Sequence, residues 1–480
     1  MRTVPQEDAP VRTETKPSLR IATIDIGGGT TDLSITTYIL ANDKSSTNRI
    51  WPRQDFREGF NFGGDDVLKT IVSDIVCQAI VDSLVKQGVG KSAADMAIRE
   101  MFGKKSDNIR IQNQRIQFVR QVALPIAYEI LSLYEKRSLH DVSGEINVSV
   151  RALFRGTEDS PAASRTVQPR QEVVDFFNET LQTRCGIAVD VMSLELHIRC
   201  SEVDKAINSN VRAVLNSMGE VIKAYDCDLL LLTGRPSCWN AVVRQIFAML
   251  PVAPDRVIPL HTYLVGPWYP FASTEGRIVD PKTTVVTGAI LCALAENSIE
   301  GFVFDSSRLE LKSTAQYIGE LDVQGALPRE KVWFPNEHPD KAKGEDRYTK
   351  IVEFSAPITI GFRQLEVPRW TAARCWRMEF SDEEARRNAQ GHTPYEVKVQ
   401  FVIPEQDENI DDIPETGKDI KAKLDEPQID YSDPDAVRER KMSGGQMELE
   451  PVRGRPVRIL LRTLGKKDEE GCWMDTGILF

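Results

Sequence analysis

The sequence lacks the features that would place it in a membrane or in contact with nucleic acid. It has no apolar run close to the roughly 20 residues that are needed to cross a bilayer. Its net charge is −11, so it lacks the basic excess that nucleic acids and anionic membrane surfaces require of a partner. Its first residues are polar and include proline, unlike a secretory signal or a transit peptide. We therefore expect neither a membrane span nor a nucleic-acid partner.

Paired cysteines and metal-ligand spacings are also missing. The eight cysteines stand singly, with no CxxC pair, and the five histidines share no ligand spacing with them. In a chain of 480 residues, this pattern is typical of reduced thiols in the core of a cytoplasmic protein. A cytoplasmic location is therefore expected, and a structural zinc site is not.

One short stretch does carry the residue types that bind phosphate. Residues 21–39 contain two segments rich in β-branched residues, which predict two strands joined by Gly-Gly-Gly-Thr at 27–30. Successive glycines let backbone N–H groups approach an anion without a Cβ in the way. Asp25 and Asp32 flank this turn, and carboxylates can hold a hydrated divalent cation that contacts phosphate. The alternative is a β-hairpin whose glycines only make the turn.

Apolar periodicity predicts alternating helices and strands up to residue 296. Helical spacing occurs at 67–80, 119–133, 171–183, 201–225, 239–250 and 280–294, and strand patterns occur at 144–154, 187–198 and 229–232. The polar residues 88–116 are expected to be irregular. Four consecutive leucines at 229–232 predict a strand buried on both faces of a parallel sheet. Gly234 and a helix follow this strand, which is a second place where backbone can meet a nucleotide.

The pattern changes after residue 296. Short alternating segments predict an antiparallel β-rich domain at 297–404. An acidic, disordered loop is expected at 405–450, because residues 405–436 contain twelve acids against three lysines. The last stretch, 451–480, is expected to add closing strands at 457–461 and 473–480. Residues 1–19 are expected to be a flexible lead-in, and 20–296 to form the α/β domain.

Four motifs occur in an order that resembles a known superfamily of ATPases. They are IDIGGGTTDLS, FGGDDVL, LLLLTGRP and DPKTTVVTGAILCAL, which begin at Ile24, Phe62, Leu229 and Asp280. Their order resembles the second half of the nucleotide-binding domain shared by heat-shock chaperones, actins and sugar kinases. The long insertions and the TGRPSCWN loop look most like the bacterial SrfB virulence-factor family. The resemblance implies an α/β fold: an actin-like ATPase lobe, with a ribonuclease-H-like sheet and flanking helices, before the β-rich domain.

The resemblance also implies ATP and Mg²⁺ as cofactors and assigns roles at the glycine turn. The catalytic residues would be Asp25, which orients a metal-bound or attacking water, and Asp32, which supports the metal or water from behind. Asp25 would contact the metal through water. The backbone of Gly27, Gly28 and Gly29 and the hydroxyl of Thr30 would bind the phosphates.

Further nucleotide contacts are implied outside the turn. Gly64 would lie near the phosphates, and Gly234 would let the backbone pass beside the ribose. Ser237 stands where the chaperones have their adenine-stacking arginine, and Arg235 is close enough to substitute. The chaperones also have a clamp of acidic and basic residues beneath the adenine. Only its acidic residue has a counterpart here, Glu129, so the adenine pocket departs from the family's pattern.

In that superfamily the nucleotide lies between two lobes, and no earlier phosphate hairpin occurs in this sequence. The chain is therefore expected to be either the C-terminal part of a longer protein, whose missing N-terminal ATPase lobe is a partner, or a one-lobed relative. The resemblance also implies companion proteins of a virulence operon as partners. Two functions stay open: a nucleotide-binding lobe that acts as a conformational switch, and a non-catalytic interaction or scaffold protein that keeps the fold without turnover. A sugar or acetate kinase is a third, for which no acceptor site can be identified.

Overall fold

The fold is given by a computed structural model that describes residues 17–40, 47–103, 108–155, 167–306, 316–334, 349–365, 372–389, 394–402, 426–443, 446–461 and 472–480. The chain divides into two compact units. The first contains residues 10–309 and 466–480, and the second contains residues 310–465. The first unit mixes helices with strands and the second is rich in strands, which confirms the predicted α/β class with a β-rich part.

The first unit is organised on a six-stranded mixed sheet. The strands of this unit are β1 (Ser18–Ile26), β2 (Thr31–Leu40), β3 (Asn48–Phe60), β4 (Glu145–Ser149), β5 (Glu195–Arg199), β6 (Leu229–Thr233), β7 (Val257–Pro259) and β8 (Phe302–Phe304). The sheet order is β7-β6-β1-β2-β3-β8, while β4 and β5 pair separately. Strands β1, β2 and β3 form an antiparallel meander. Strand β6 runs parallel to β1, β7 parallel to β6, and β8 parallel to β3.

Helices of this unit lie between or after these strands. They are α1 (Gly64–Thr70), α2 (Cys77–Lys86), α3 (Lys91–Phe102), α4 (Ile109–Phe118), α5 (Leu124–Glu135), α6 (Val150–Arg155), α7 (Gln171–Cys185), α8 (Cys200–Ala224), α9 (Asn240–Met249) and α10 (Thr283–Asn297). Two π-helical turns, Ile71–Val76 and Val119–Ala123, join α1 to α2 and α4 to α5.

Several predicted elements differ from the structure. The stretch 88–116 is not irregular, because α3 and most of α4 lie there. The strand predicted at 144–154 ends at Ser149 and continues as α6. The strand predicted at 187–198 is confined to β5. Helix α3 buries a narrow stripe that includes two alanines, and such a stripe gives a weak periodic signal in the sequence.

One face of the sheet carries the core of the unit. Ala22 and Ile24 of β1 and Leu33 of β2 are fully buried. The same alternation appears in β6, where Leu230 is fully buried and Leu231 is only half-buried. The prediction that the four leucines are buried on both faces is therefore only half right.

A buried arginine fixes the register of the antiparallel meander. Arg20 of β1 donates from Nε to Thr37 Oγ1 of β2 over 3.0 Å, and the same atom lies 3.3 Å from Asp55 Oδ2 of β3. Its Nη1 donates to the carbonyl oxygen of Tyr225, just beyond α8, over 2.6 Å. Because a buried charge needs several partners, this network opposes a slip of one strand past the next. The network lies near the start of β1, at the end of the strand opposite the glycine turn.

The described part of the second unit consists of strands and one short helix. They are β9 (Tyr317–Glu320), β10 (Val332–Phe334), β11 (Thr349–Phe354), β12 (Ile358–Arg363), β13 (Ala373–Phe380), α11 (Glu383–Ala389), β14 (Tyr395–Val402), β15 (Glu426–Gln428), β16 (Val437–Ser443), β17 (Gln446–Pro451) and β18 (Val457–Leu461). One sheet has the order β10-β9-β12-β13-β18 and the other the order β11-β14-β16-β17, with β15 paired to β14. The strand pairs of both sheets are antiparallel, as predicted.

Two predictions for the C-terminal part are wrong. The acidic loop predicted at 405–450 is structured from residue 426 onward, where β15, β16 and β17 lie. Pairs such as Arg440 with Glu396 across neighbouring strands (3.1 Å) let charged sequence form a sheet. The strand predicted at 473–480 is instead a short helix, α12 (Trp473–Thr476), followed by residues without regular secondary structure, and all of them belong to the first unit. Residues 405–425 and 444–445 of the predicted loop and 1–16 of the predicted lead-in lie outside the described residues.

Candidate nucleotide-binding site

The predicted hairpin is present, and its glycine turn is docked against the start of α1. The N–H of Gly27 donates to the carbonyl oxygen of Thr30 over 2.8 Å, which closes the turn. On the helix side, the N–H of Gly64 donates to the carbonyl oxygen of Gly27 (2.9 Å) and that of Asp65 to the carbonyl oxygen of Gly28 (2.8 Å). The first N–H groups of α1, which have no partner within the helix, are thus satisfied by the turn.

The amide groups of the turn face away from the helix. In a trans peptide the carbonyl oxygen and the following N–H point in opposite directions, so the amides of Gly28 and Gly29 are directed away from α1. Gly28, Gly29 and Thr30 are exposed. Among the residues that the structure describes, none accepts a hydrogen bond from these three amides or pairs with the Thr30 hydroxyl. Successive free amides of this kind can receive an anion.

The closest approach between turn and helix occurs at Gly63, which was not among the predicted site residues. A Cβ built on Gly63 would lie 2.2 Å from the carbonyl oxygen of Gly28 and 2.7 Å from the nitrogen of Gly29. The N–H of Gly63 donates to Asp66 Oδ2 over 2.9 Å, so the acid of the FGGDDVL motif caps the helix. Gly64 lies at the opposite side of this junction, where a Cβ would be 3.0 Å from Pro236 Cγ. The two successive glycines of the motif could have indicated this tight junction.

The two predicted aspartates are brought together beside the turn. Asp25 and Asp32 are direct cross-strand partners on β1 and β2. Asp25 is half-buried, whereas Asp32 is exposed. Burial and the negative charge of Asp32 raise the pKa of the Asp25 carboxyl, and the positive charge of Lys282 opposes this rise. The site therefore combines a half-buried carboxylate, an exposed carboxylate and one nearby cation, Lys282.

The loop after β6 packs directly against Asp25. Gly234 has a φ of +81°, in the left-handed region that favours glycine. A Cβ built on Gly234 would lie 2.1 Å from the carbonyl oxygen of Ile26 and 2.6 Å from Asp25 Oδ1. The residue before it, Thr233, is the parallel strand partner of Asp25. The first and third motifs of the sequence therefore meet at one point in space.

The start of α10 reaches the same point through Thr233. The hydroxyl of Thr233 donates to the carbonyl oxygen of Pro281 over 3.2 Å and lies 3.2 Å from the hydroxyl of Thr284. The intervening Lys282 was not among the predicted site residues, although it belongs to the DPKTTVVTG motif. Its influence on Asp25 shows that the fourth motif contributes charge to the site.

Arg235 has a partner that the sequence did not predict. Its guanidinium forms two hydrogen-bonded contacts with Glu135 at the end of α5, Nη1 to Oε1 and Nη2 to Oε2, each of 2.7 Å. Burial lowers the pKa of Arg235, but this bidentate pair outweighs burial and raises the pKa above its ordinary value. Glu129, the predicted clamp residue, is on the same helix but is only 4 % exposed. The acid that meets the loop after β6 is thus Glu135.

The carboxylates present suit a metal that keeps water ligands. Within the described ranges, no group of three or more His, Cys, Asp or Glu side chains is arranged to hold a metal ion. The Asp25 and Asp32 pair offers only oxygen atoms, the ligand type that Mg²⁺ prefers, and Mg²⁺ is commonly bound by one or two carboxylates together with phosphate and water. These residues therefore fit the implied ion.

No helix in the described part of the chain has the length and apolar character needed to cross a membrane.

Similarity to known proteins is found at the level of a protein family. None of the curated proteins is found to be similar to this chain. The model of a family described as virulence factor SrfB matches residues 3–480, almost the entire sequence. The protein therefore belongs to the SrfB virulence factor family.

Proposed function

We propose that the first unit binds a magnesium–nucleoside triphosphate, ATP in the first instance, at the glycine turn. The observation that carries this proposal is the set of exposed amides at 28–30, which lack a described acceptor and lie beside the pair formed by Asp25 and Asp32. A turn that served only to join two strands would not need a carboxylate pair at its base. The mixed sheet, with its antiparallel meander extended by parallel strands, supports the predicted ribonuclease-H-like lobe.

Each group has a distinct task in this proposal. The amides of Gly28 and Gly29 and the hydroxyl of Thr30 bind phosphate oxygens, as donors at a phosphate loop do. Asp25, through water, and Asp32 would hold Mg²⁺, which would neutralise phosphate charge. Because its pKa is raised, Asp25 is suited to accept a proton from a water that it orients.

The sugar and base of the nucleotide would lie along the loop after β6. Gly234 brings the backbone close to Asp25, so the sugar can follow the phosphates without meeting a side chain. Arg235 is fixed by Glu135 and presents a planar guanidinium for stacking on a base. Glu135 therefore takes the clamp role that the sequence assigned to Glu129.

We propose further that the site works as a switch completed by a second lobe. The described residues border the amides of the turn from the α1 side, and the opposite side is exposed. A second lobe that closed on the nucleotide would exclude water and add phosphate contacts. Nucleotide-dependent closure would then be the signal that companion virulence proteins detect.

Calorimetric titration of MgATP into the full chain tests nucleotide binding. The wild type is expected to bind, and Asp25→Ala to bind more weakly, while Asp175→Ala on the exposed face of α7 serves as a matched control. An absence of binding by the wild type at millimolar ATP would refute the proposal. Equal binding by the wild type and Asp25→Ala would refute the role of Asp25.

A non-catalytic interaction protein is the second candidate function. It is favoured by α10, whose apolar residues Val285, Ile290 and Leu294 are 64, 57 and 46 % exposed. Large apolar side chains grouped on one exposed helix are typical of interaction surfaces. Measurement of phosphate release separates the two candidates, since an interaction protein of this fold would bind nucleotide without turnover or not bind it at all.

A further inference from the structure

Lys282 directly precedes α10, and the backbone around it is hydrogen-bonded. Its backbone N–H donates to Asp280 Oδ1 over 3.0 Å. The carbonyl oxygen of the preceding Pro281 accepts hydrogen bonds from the hydroxyls of Thr233 (3.2 Å) and Thr284 (2.6 Å). The backbone on both sides of Lys282 is therefore anchored to β6 and to the helix itself.

These hydrogen bonds place Lys282 near the end of the hairpin where Asp25 and Asp32 lie. Thr233, which binds the backbone before Lys282, is the strand partner of Asp25. The side chain of Lys282 is exposed and forms no ion pair or hydrogen bond with the rest of the described chain. Lys282 is close enough to act on the Asp25 carboxyl by its charge, yet its ammonium group has no partner among the described residues.

The ammonium group of Lys282 can offset an electrostatic repulsion that the proposed ligand would otherwise meet. The carboxylates of Asp25 and Asp32 would repel a nucleoside triphosphate, and a lysine is a common point charge for phosphate. In the proposed function Asp25 orients water at the terminal phosphate, so a cation beside Asp25 would meet that phosphate before the others.

We propose that Lys282 binds the terminal phosphate of the nucleotide and thereby distinguishes a triphosphate from a diphosphate. This inference rests on the proposed function. If Lys282 has this role, the fourth motif of the sequence contacts the ligand directly.

The test compares ATP and ADP binding by calorimetry in excess Mg²⁺. Loss of a charged hydrogen bond predicts that Lys282→Ala weakens ATP binding by about 10- to 100-fold, while ADP binding changes by less than about 3-fold. Lys282→Arg keeps the charge and should retain most of the ATP affinity. Lys223→Ala, which removes an exposed lysine at the end of α8, should change neither value.

The possible outcomes separate this inference from the proposal on which it rests. If the wild type binds neither nucleotide, the proposed function fails and the inference fails with it. If the wild type binds ATP and Asp25→Ala weakens it, but Lys282→Ala does not, only the role of Lys282 is refuted. An equal loss of ATP and ADP affinity also refutes the assignment to the terminal phosphate. Protection of Lys282 from an amine-reactive reagent by ATP, and not by ADP, would support it without any measurement of turnover.

Discussion

Asp25 is a residue whose negative charge opposes the folded state. It lies half-buried at the end of β1, where burial and the adjacent charge of Asp32 disfavour its ionised form. The charge of Lys282 offsets this only in part, because the pKa remains raised. Functional sites commonly contain side chains whose charged form opposes folding.

Replacement of Asp25 by asparagine is therefore expected to stabilise the protein at neutral pH. The pKa of Asp25 is higher in the folded than in the unfolded chain, so ionisation lowers the free energy of unfolding as the pH rises through the folded pKa. An uncharged amide at this position would be free of this effect. The stability advantage of Asp25→Asn should be full at neutral pH and should shrink as the pH falls through the raised pKa.

Urea unfolding of both proteins over the acidic to neutral range measures this difference. Asp32→Asn is a useful companion, since it removes the repulsion and should reduce the pH dependence that Asp25 contributes. A variant Asp25→Asn that is less stable than the wild type at neutral pH would show that the carboxylate is a structural requirement instead.

At the scale of elements, strong local patterns were predictable and tight packing was not. The hairpin of β1 and β2 and the strand β6 follow from β-branched and leucine runs, and α8 follows from its long apolar stripe. The sequence indicated a glycine turn, but the contact that positions it comes from Gly63, 34 residues beyond Gly29. Periodicity reports which face of an element is buried, and it contains no information on which backbone atoms will touch.

Two glycine variants separate the docking of α1 from the binding of a ligand. In Gly63→Ala the new methyl group would overlap the backbone of Gly28, so the helix must shift, and a loss of about 1–3 kcal/mol in the free energy of unfolding is expected. Gly29→Ala projects into open space and should change stability by less than about 0.5 kcal/mol. Both should weaken MgATP binding, Gly63→Ala by displacing the turn and Gly29→Ala by obstructing its amides.

Chemical denaturation gives the stability values and calorimetry the affinities. Gly90→Ala, at a glycine before α3 with open space around it, is a control that should alter neither. A stable Gly63→Ala protein with normal ATP binding would mean that the contact between α1 and the turn does not determine the geometry of the site.

At the scale of the whole molecule, the position of the last residues in the sequence does not indicate the unit to which they belong. Residues 472–480 follow the β-rich unit in sequence but pack within the first unit. The indole Nε1 of Trp473 donates to the carbonyl oxygen of Asp65 over 3.2 Å, and the N–H of Leu479 donates to the carbonyl oxygen of Phe102 over 2.8 Å. The sequence analysis predicts a closing strand at 473–480, and only long-range contacts decide against it.

Trp473 is therefore expected to stabilise the first unit alone. The side chain is 5 % exposed, and truncation of a buried tryptophan typically lowers the free energy of unfolding by about 3–5 kcal/mol. Hydrogen exchange followed peptide by peptide should show faster exchange throughout the first unit in Trp473→Ala and unchanged exchange in the second. Phe480→Ala, at a residue that is 40 % exposed, should have a smaller effect. Equal acceleration in both units would contradict this division.

The same residue also links the end of the chain to the candidate site. The carbonyl oxygen of Asp65 accepts from Trp473, and the N–H of Asp65 donates to the carbonyl oxygen of Gly28, so a single residue of α1 lies between the tail and the turn. Trp473→Phe keeps most of the buried apolar surface but removes the indole donor. If this bond helps to hold α1 against the turn, Trp473→Phe should weaken MgATP binding more than its small loss of stability explains. If the tail only fills space, ATP affinity should stay at the wild-type value in Trp473→Phe.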